Sequence, residues 1–189
     1  MNELLPSPWV RRFATLIPAG GRVLDVACGT GRHACLLAAL AYRVEAVDRD
    51  AEALAALHGR PGLVVRVADL EGDPWPYARE SFDGIVVTNY LYRPRLGALL
   101  DTLAPKGVLL YETFMLGNVA FGRPSNPDYL LQPGELLECV RGRMTVVAFE
   151  QGSVDRPKPA CVQRLCAIKA AAEGAGSGRL KGRSPVEGL

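Results

Sequence analysis

Length, composition and charge exclude several classes of protein. The chain has 189 residues, of which 49% are hydrophobic and 22% charged, values typical of one globular domain with a sizeable core. Its apolar runs are shorter than the roughly 20 residues that cross a bilayer. Its first residues lack a signal-peptide pattern, so we expect a cytoplasmic protein. The formal net charge of +2 comes without the strongly basic patch that indicates nucleic-acid binding.

Cysteines and histidines give no sign of a metal site. The chain has five cysteines and two histidines, and none forms a close metal-binding pair. We therefore predict reduced thiols and no metal ion. The stretch 171–189 is rich in Gly, Ala and Ser and lacks an apolar period, which predicts a disordered tail after a single domain at 5–168.

Strands and helices alternate along this domain. After a cap helix at 7–17, strands are predicted at 22–27, 43–48, 63–69, 82–88, 107–113, 143–150 and 160–168. Helices are predicted at 31–41, 50–58 and 94–103, with another beginning near Pro133 after a long loop at 115–132. This order indicates an α/β fold with a Rossmann-like, doubly wound, mostly parallel sheet of seven strands. The last two strands lack a helix between them, so we expect an antiparallel hairpin and a reversed last strand.

The run from Val23 to Ala34 predicts a buried strand, a glycine turn and the start of a helix. Glycines let the backbone approach a ligand closely, and a helix start offers free N–H groups to an anion. Gly29-x-Gly31-x-x-Ala34 fits the dinucleotide pattern with alanine in third place. The turn therefore indicates a nucleotide-like cofactor.

An acid stands at the end of each of the first three predicted strands. Asp25 precedes the glycine turn, where a carboxylate has no obvious use beside a pyrophosphate but suits the ammonium and sulfonium groups of S-adenosylmethionine (SAM). Asp48 is predicted to accept the ribose hydroxyls; its alternative is to cap the next helix, for which Asp50 is better placed. The third acid, Asp69, is either an adenine contact or a turn residue before Gly72.

Two motifs resemble class I SAM-dependent methyltransferases. Leu-Asp-Val-Ala-Cys-Gly-Thr-Gly-Arg at 24–32 resembles their first motif, and Asp-Pro-Trp-Pro at 73–76 with Ser-Phe-Asp at 81–83 resembles a later loop and strand opening. NAD dehydrogenases have no element that matches the second motif. The Gly-x-Gly-Arg-His-Ala turn, the Asp-Leu pair at 69–70 and the strand at 162–169 are similar to the tellurite-resistance-type group, which is associated with small, soft acceptors such as metalloid oxyanions.

The resemblance implies roles for the residues at the strand ends. Asp25 would face the methionine end of SAM, Asp48 the ribose and Asp69 the adenine amino group, with Leu70 against the ring. The predicted cofactor-binding set is Asp25, Ala27, Cys28, Gly29, Gly31, Asp48, Arg49, Ala68, Asp69, Leu70 and Asn89. His33, in the first turn of the following helix, is expected to be a cofactor-side or structural residue.

The acceptor side shows fewer signals. Asn89-Tyr90-Leu91-Tyr92 stands where many methyltransferases of base and glutamine amino groups carry Asn/Asp-Pro-Pro-aromatic, which argues against that type. Tyr90 and Tyr92 are candidate substrate contacts, with packing in the core and over a helix as the alternative. Tyr90 and Glu112 are the candidate catalytic groups.

Two charged residues near the fifth strand are also candidates for contact with the acceptor. Glu112 is an acid in an apolar strand and must find a partner or a pocket; its alternative to a substrate role is an ion pair with Arg93 or Arg123. Arg123, in the long loop, is a candidate for binding an anionic acceptor or else is exposed.

These observations together predict methyl transfer from SAM to a small-molecule acceptor by in-line displacement. Much of the rate would come from holding donor and acceptor together. A soft thiol or oxyanion needs no base, whereas an amine or hydroxyl does. The alternatives are an RNA or protein methyltransferase and a non-catalytic SAM- or NAD-binding module. We expect a monomer or weak homodimer.

Overall fold

A computed structural model describes residues 5–156 and 158–171. Its seven-stranded sheet has the order β3-β2-β1-β4-β5-β7-β6. The strands are β1 (Arg22–Val26), β2 (Arg43–Asp48), β3 (Leu63–Val67), β4 (Phe82–Thr88), β5 (Leu103–Phe114), β6 (Met144–Val154) and β7 (Ala160–Lys169). Strand β7 pairs antiparallel with both β5 and β6, and the other pairs are parallel. The predicted sheet and its reversed last strand are confirmed.

Five short α-helices cover the sheet in the described part of the chain. They are α1 (Pro8–Phe13), α2 (Arg32–Ala39), α3 (Ala51–Ala55), α4 (Leu96–Thr102) and α5 (Glu135–Val140). The Asp50 carboxylate accepts from the N–H groups of Glu52 and Ala53, so Asp50 caps α3. Helix α3 is shorter than predicted because the chain turns near Gly59, whose φ is +74°. The predicted tail, beyond Ala171, lies outside the described residues.

Helices pack on both faces of the sheet, as a doubly wound fold requires. Apolar residues of α1, α2 and α3 form one core, with Val10, Leu37 and Leu54 fully buried. Leucines of α4 and α5 form the other core with β4 and β5. Strand β5 starts earlier than predicted, directly after α4, because Leu103 already pairs with Phe82 before the ladder shifts register. In the described residues no helix is long and apolar enough to cross a membrane.

Candidate cofactor and acceptor site

A first cavity of about 190 Å³ opens where β1, β2 and β3 end. Parallel strands bring their carboxyl ends to one edge of the sheet, which is where open α/β folds bind ligands. The lining residues are Ala27, Asp48, Arg49, Ala68, Asp69, Leu70, Glu71 and Tyr90. All of them except Glu71 were named from the sequence, although Tyr90 was named for the acceptor.

Asp48 ties the glycine turn to the end of β2. Its Oδ2 accepts from the Gly29 N–H at 2.8 Å and its Oδ1 from the Asp50 N–H at 3.0 Å. Each carboxylate oxygen can accept a further hydrogen bond, so ribose hydroxyls remain compatible with this geometry. Gly29 has a φ of +54°, and a Cβ placed there would have no neighbour within 4 Å. The space beside the turn is therefore open for a ligand.

Gly31 has a packing role that the sequence interpretation missed. Its φ is +76°, and an added Cβ would lie 2.4 Å from Leu57 Cδ1. Gly31 does not line the first cavity. The residue is glycine because α2 and the segment after α3 approach closely there, which is a different reason from the predicted contact with the cofactor.

Asp25 and Cys28 do not line the first cavity either. Asp25 is fully buried, and within the described residues neither of its oxygens has a hydrogen-bond partner. Burial raises the pKa of Asp25 to about 7, although the Ala34 amide and the Arg32 guanidinium oppose this shift. Cys28 packs in the core under α1 and α2. In this conformation the Asp25 side chain is enclosed by protein and Cys28 is only 8% exposed. The direct contacts of both residues with the cofactor stay predictions, and this geometry does not support them.

Asp69 is both a turn residue and part of the cavity wall. Its Oδ1 accepts from the Glu71 N–H at 2.9 Å, and its carbonyl accepts from the Asp73 N–H at 3.0 Å. Hydrogen bonds from the Glu71 and Gly72 amides lower the pKa of Asp69, so this carboxylate stays charged. The two alternatives for Asp69 are therefore compatible.

A second cavity of about 220 Å³ lies beside the first, at the ends of β4 and β5. Its lining residues are Glu71, Asn89, Tyr90, Leu91, Thr113, Phe114, Pro124 and Tyr129. Glu71 and Tyr90 line both cavities, so the two are neighbours. Asn89, predicted to bind cofactor, lines only the second.

Tyr90 stands between the two cavities. Its carbonyl accepts from the Tyr111 hydroxyl at 3.0 Å, which fixes the segment after β4. Its own hydroxyl is buried and has no partner among the described residues. Burial, followed by the nearby charges of Glu71 and Asp69, raises the pKa of Tyr90. The hydroxyl is therefore neutral, and Tyr90 lies in the wall that the two cavities share.

The long loop after β5 is held by two anchors. Arg93 donates to both Glu135 oxygens at 2.6 and 2.9 Å, and to the carbonyls of Asp128 and Leu130 at 2.6 and 2.8 Å. The buried Asn118 joins the loop to β7 and to Pro124. These contacts place Pro124 and Tyr129 in the wall of the second cavity. The sequence predicted a binding loop here but not which of its residues face the cavity.

Three predicted acceptor residues lie outside both cavities. Glu112 is 8% exposed, and its Oε2 accepts from Arg164 Nε at 2.7 Å and Ser7 Oγ at 3.0 Å. Its partner is therefore neither Arg93 nor Arg123, and this geometry does not support the predicted catalytic role. Tyr92 lines neither cavity, and Arg123 is exposed on the loop.

His33 is a structural residue beneath α1. Its Nε2 accepts from the Ser7 N–H at 3.0 Å, and its Nδ1 lies 3.2 Å from Thr88 Oγ1. Because Nε2 accepts, we assign the ring proton to Nδ1, which donates to Thr88. Burial lowers the pKa of His33 to about 3, so the ring is neutral. Within the described residues, no three His, Cys, Asp or Glu side chains cluster as a metal site would require.

Comparison with known proteins identifies this arrangement. Residues 23–107 match the family model of a methyltransferase domain. This stretch of the chain is similar to methyltransferase domains. A protein-L-isoaspartate O-methyltransferase of Chlorobaculum tepidum is 34% identical over 52% of this chain, and the match covers 47% of that protein. The chain thus spans about half the length of this relative.

Solved structures share the fold of this methyltransferase domain. TehB from Haemophilus influenzae matches with a TM-score of 0.72 and 18% identity, over 89% of this chain and 63% of that one. A 1,6-didemethyltoxoflavin-N1-methyltransferase from Burkholderia thailandensis, solved with its ligand and S-adenosylhomocysteine (SAH), matches with a TM-score of 0.64 and 19% identity. That match covers 86% of this chain and 77% of the other. The predicted class I family and its cofactor, SAM, are confirmed.

The residues of the first cavity fit this cofactor. Asp48 offers a carboxylate at the end of β2, and Leu70 offers an apolar surface. Gly29 does not line the cavity, but it leaves an open space beside the turn. Ala27 lines the cavity with a φ of +50°, a strained conformation of the kind that clusters at functional sites. The individual contacts of each residue with SAM stay predictions.

Proposed function

We propose that this methyltransferase domain transfers the methyl group of SAM to a small molecule held in the second cavity. The observation that carries the proposal is the wall shared by the two cavities, Glu71 and Tyr90. A ligand in the second cavity would lie next to one in the first, as in-line displacement requires. The second cavity, about 220 Å³, is smaller than the roughly 300–1,000 Å³ of drug-sized ligand sites, which favours a small acceptor.

The bound cofactor would supply an electrophilic methyl group on its sulfonium. The protein's part is to orient the two molecules and to exclude water. We assign ribose binding to Asp48 and the adenine edge to Asp69 and Leu70. Tyr90 would donate a hydrogen bond to the acceptor, because its hydroxyl is neutral and unpartnered among the described residues.

Small-molecule acceptors are favoured over a protein or RNA. Pro124 and Tyr129, held by the loop anchors, narrow the second cavity. The toxoflavin enzyme, which shares the fold, holds a small molecule in its solved structure. The isoaspartate relative is named for a protein substrate, but this chain covers only 47% of it. We further propose a cytoplasmic protein, monomeric or weakly dimeric, with its domain at 5–168.

Calorimetric titration with SAM, SAH and NADH tests the cofactor first. We expect binding of SAM and SAH and none of NADH; binding of NADH alone would overturn the proposal. Screening small acceptors by SAH release then tests the activity. Tight SAM binding without turnover on any acceptor would instead support a non-catalytic module.

Tyr90→Phe tests the acceptor side, with Tyr92→Phe as the matched control. Removal of the Tyr90 hydroxyl should reduce kcat/KM by about tenfold, the worth of one hydrogen bond in a buried site, while SAH affinity is unchanged. The control should behave like the wild type because Tyr92 lines neither cavity. Equal losses in both variants would argue against the role of Tyr90.

A further inference from the structure

The second cavity carries one charged group and several aromatic rings. Glu71 is its only ionisable carboxylate, and Tyr90, Phe114 and Tyr129 contribute rings. No Lys, Arg or His is among the lining residues. Within the described chain, no cation forms an ion pair with Glu71, so no salt bridge of the protein neutralises its charge.

The nearby arginines do not compensate for this charge. Arg93 is engaged by Glu135 and two loop carbonyls. Arg123 is exposed and lines neither cavity, and Arg49 lines only the first. An anionic acceptor would therefore meet the Glu71 carboxylate without a counter-charge. A thiolate or an oxyanion, which the resemblance to the tellurite-resistance-type group suggested, is disfavoured in this cavity.

We infer that the acceptor is a neutral heteroaromatic nitrogen compound whose methylated product is a cation. This inference rests on the proposed methyl transfer. The nitrogen lone pair forms the new N–C bond as the C–S bond breaks, and the C–S electron pair stays on sulfur. The positive charge of the sulfonium passes to nitrogen, and no proton leaves.

Such a reaction matches what the cavity offers. It needs no general base, and none lines the cavity apart from the half-buried Glu71. The charge that develops on nitrogen would be stabilised by the Glu71 carboxylate and by the faces of the rings, which attract cations. Glu71 would then be a specificity-determining residue at the junction of the two cavities.

Three probes of one shape and different charge test the inference. N-methylquinolinium is a cation, methylnaphthalene is neutral and naphthoate is an anion. Each is titrated into the full chain, with and without saturating SAH, and binding is followed by shifts in protein NMR signals. We expect the cation to bind about tenfold more tightly than the neutral probe, a ratio typical of a partly buried cation–π and carboxylate site. The anion should bind most weakly.

Glu71→Gln, compared with a matched control, tests whether the charge of Glu71 causes the preference for the cation. Glu71→Gln should reduce the preference for the cation to about threefold or less, because the ring faces alone remain. Glu138→Gln, which removes a charge from an exposed pair with Arg141, should keep the wild-type preference. Turnover of quinoline to N-methylquinolinium, checked by mass spectrometry, would support the inference further.

The outcomes distinguish the two proposals. Equal binding of the three probes, preference for the anion, binding of none, or an unchanged preference in Glu71→Gln would overturn the inference, even if SAH binds. Failure of SAH to bind would overturn the proposed function, while the probe titrations without SAH would still decide the charge preference of the cavity.

Discussion

The two cavities are neighbours but are built from different kinds of contact. The first is formed by strand ends and the turns directly after them, with Asp48 and Asp69 held by backbone N–H groups. The second depends on a long loop that is fixed by side chains from distant parts of the chain, Arg93 and Asn118. Substitutions in the wall of one cavity should therefore change ligand binding in that cavity and leave ligand binding in the other unchanged.

The two glycines of the turn after β1 give the sharpest contrast beside the first cavity. Gly31→Ala should lower the free energy of unfolding by about 3 kcal/mol, because a Cβ meets Leu57 and the backbone has positive φ. Gly29→Ala carries only the backbone strain, about 1 kcal/mol, but its Cβ enters the open space beside the cavity. Urea unfolding and SAH calorimetry measure both effects.

The relative loss of SAH affinity in the two variants shows whether glycine is needed at each position for packing or for the close approach of a ligand. We expect Gly29→Ala to lose more SAH affinity per unit of lost stability than Gly31→Ala. If Gly31→Ala folds as stably as the wild type and binds SAH poorly, the packing explanation is wrong and the original cofactor role of Gly31 is right.

Arg93→Ala tests whether the second cavity depends on its loop anchor. The variant loses the hydrogen bonds to Glu135 and to two carbonyls, which should cost about 1–2 kcal/mol because the guanidinium is partly exposed. Chymotrypsin should then cleave the loop near Phe121 and Tyr129 several-fold faster than in the wild type, whereas SAH affinity stays within about twofold. Arg141→Ala, which breaks an exposed pair with Glu138, is the control.

The comparison of the two cavities holds only if Arg93→Ala changes the rate of proteolysis without changing the affinity for SAH. A parallel loss of SAH affinity in Arg93→Ala would show that the loop also shapes the first cavity. An unchanged cleavage rate would show that Asn118 is a sufficient anchor by itself.

The sequence predicted the first cavity better than the second for a physical reason. The acids at 48 and 69 and the glycine turn lie at strand ends, and parallel pairing alone brings strand ends together. Asp50 was likewise identified as the helix cap from local spacing, and the structure confirms it. Local patterns do not tell which side chains are buried in the core, so the burial of Asp25 and Cys28 could not be predicted from them.

To predict the second cavity from the sequence, one would need to know how the strands pair across the sheet. Glu112 meets Arg164 because β5 and β7 pair antiparallel in the register that sets these residues opposite each other. The sequence placed β7 in a hairpin with β6 but gave no register against β5, so Arg93 and Arg123 were considered instead. Glu71, in the wall of both cavities, follows the Asp-Leu pair directly, and that adjacency was the signal available for it.

Asp48→Ala tests the link between the turn and the ribose site, with Asp50→Ala as its neighbour control. Loss of the Asp48 carboxylate frees the Gly29 N–H and would leave ribose hydroxyls unpaired, so we expect SAM affinity to fall by about 1–3 kcal/mol. Asp50→Ala should reduce stability by about 1 kcal/mol through loss of the α3 cap, with little effect on SAM. Calorimetry and thermal unfolding compare the two; unchanged affinity in Asp48→Ala would exclude the ribose role.

The pH dependence of stability reports on two buried groups. Asp25 lies near the end of β1, and His33 contacts Thr88 at the end of β4. The pKa of His33 falls from its ordinary 6.5 to about 3 on burial. The unfolded chain therefore binds more protons between these values, and the free energy of unfolding rises with pH. The pKa of Asp25 rises from 3.8 to about 7. The folded chain then binds more protons, and the free energy of unfolding falls as pH rises.

The two slopes oppose each other between about pH 4 and 6.5, so the wild type should show little net dependence there. Asp25→Asn removes the contribution of Asp25 to this pH dependence. The free energy of unfolding should then rise with pH by about 1 kcal/mol per pH unit. His33→Gln, whose amide oxygen can still accept from the Ser7 N–H, should show a fall of similar size. Urea unfolding at several pH values measures all three proteins. Parallel curves for the three would mean that neither group is buried in the ionisation state we assign, because each slope follows directly from the difference between folded and unfolded pKa.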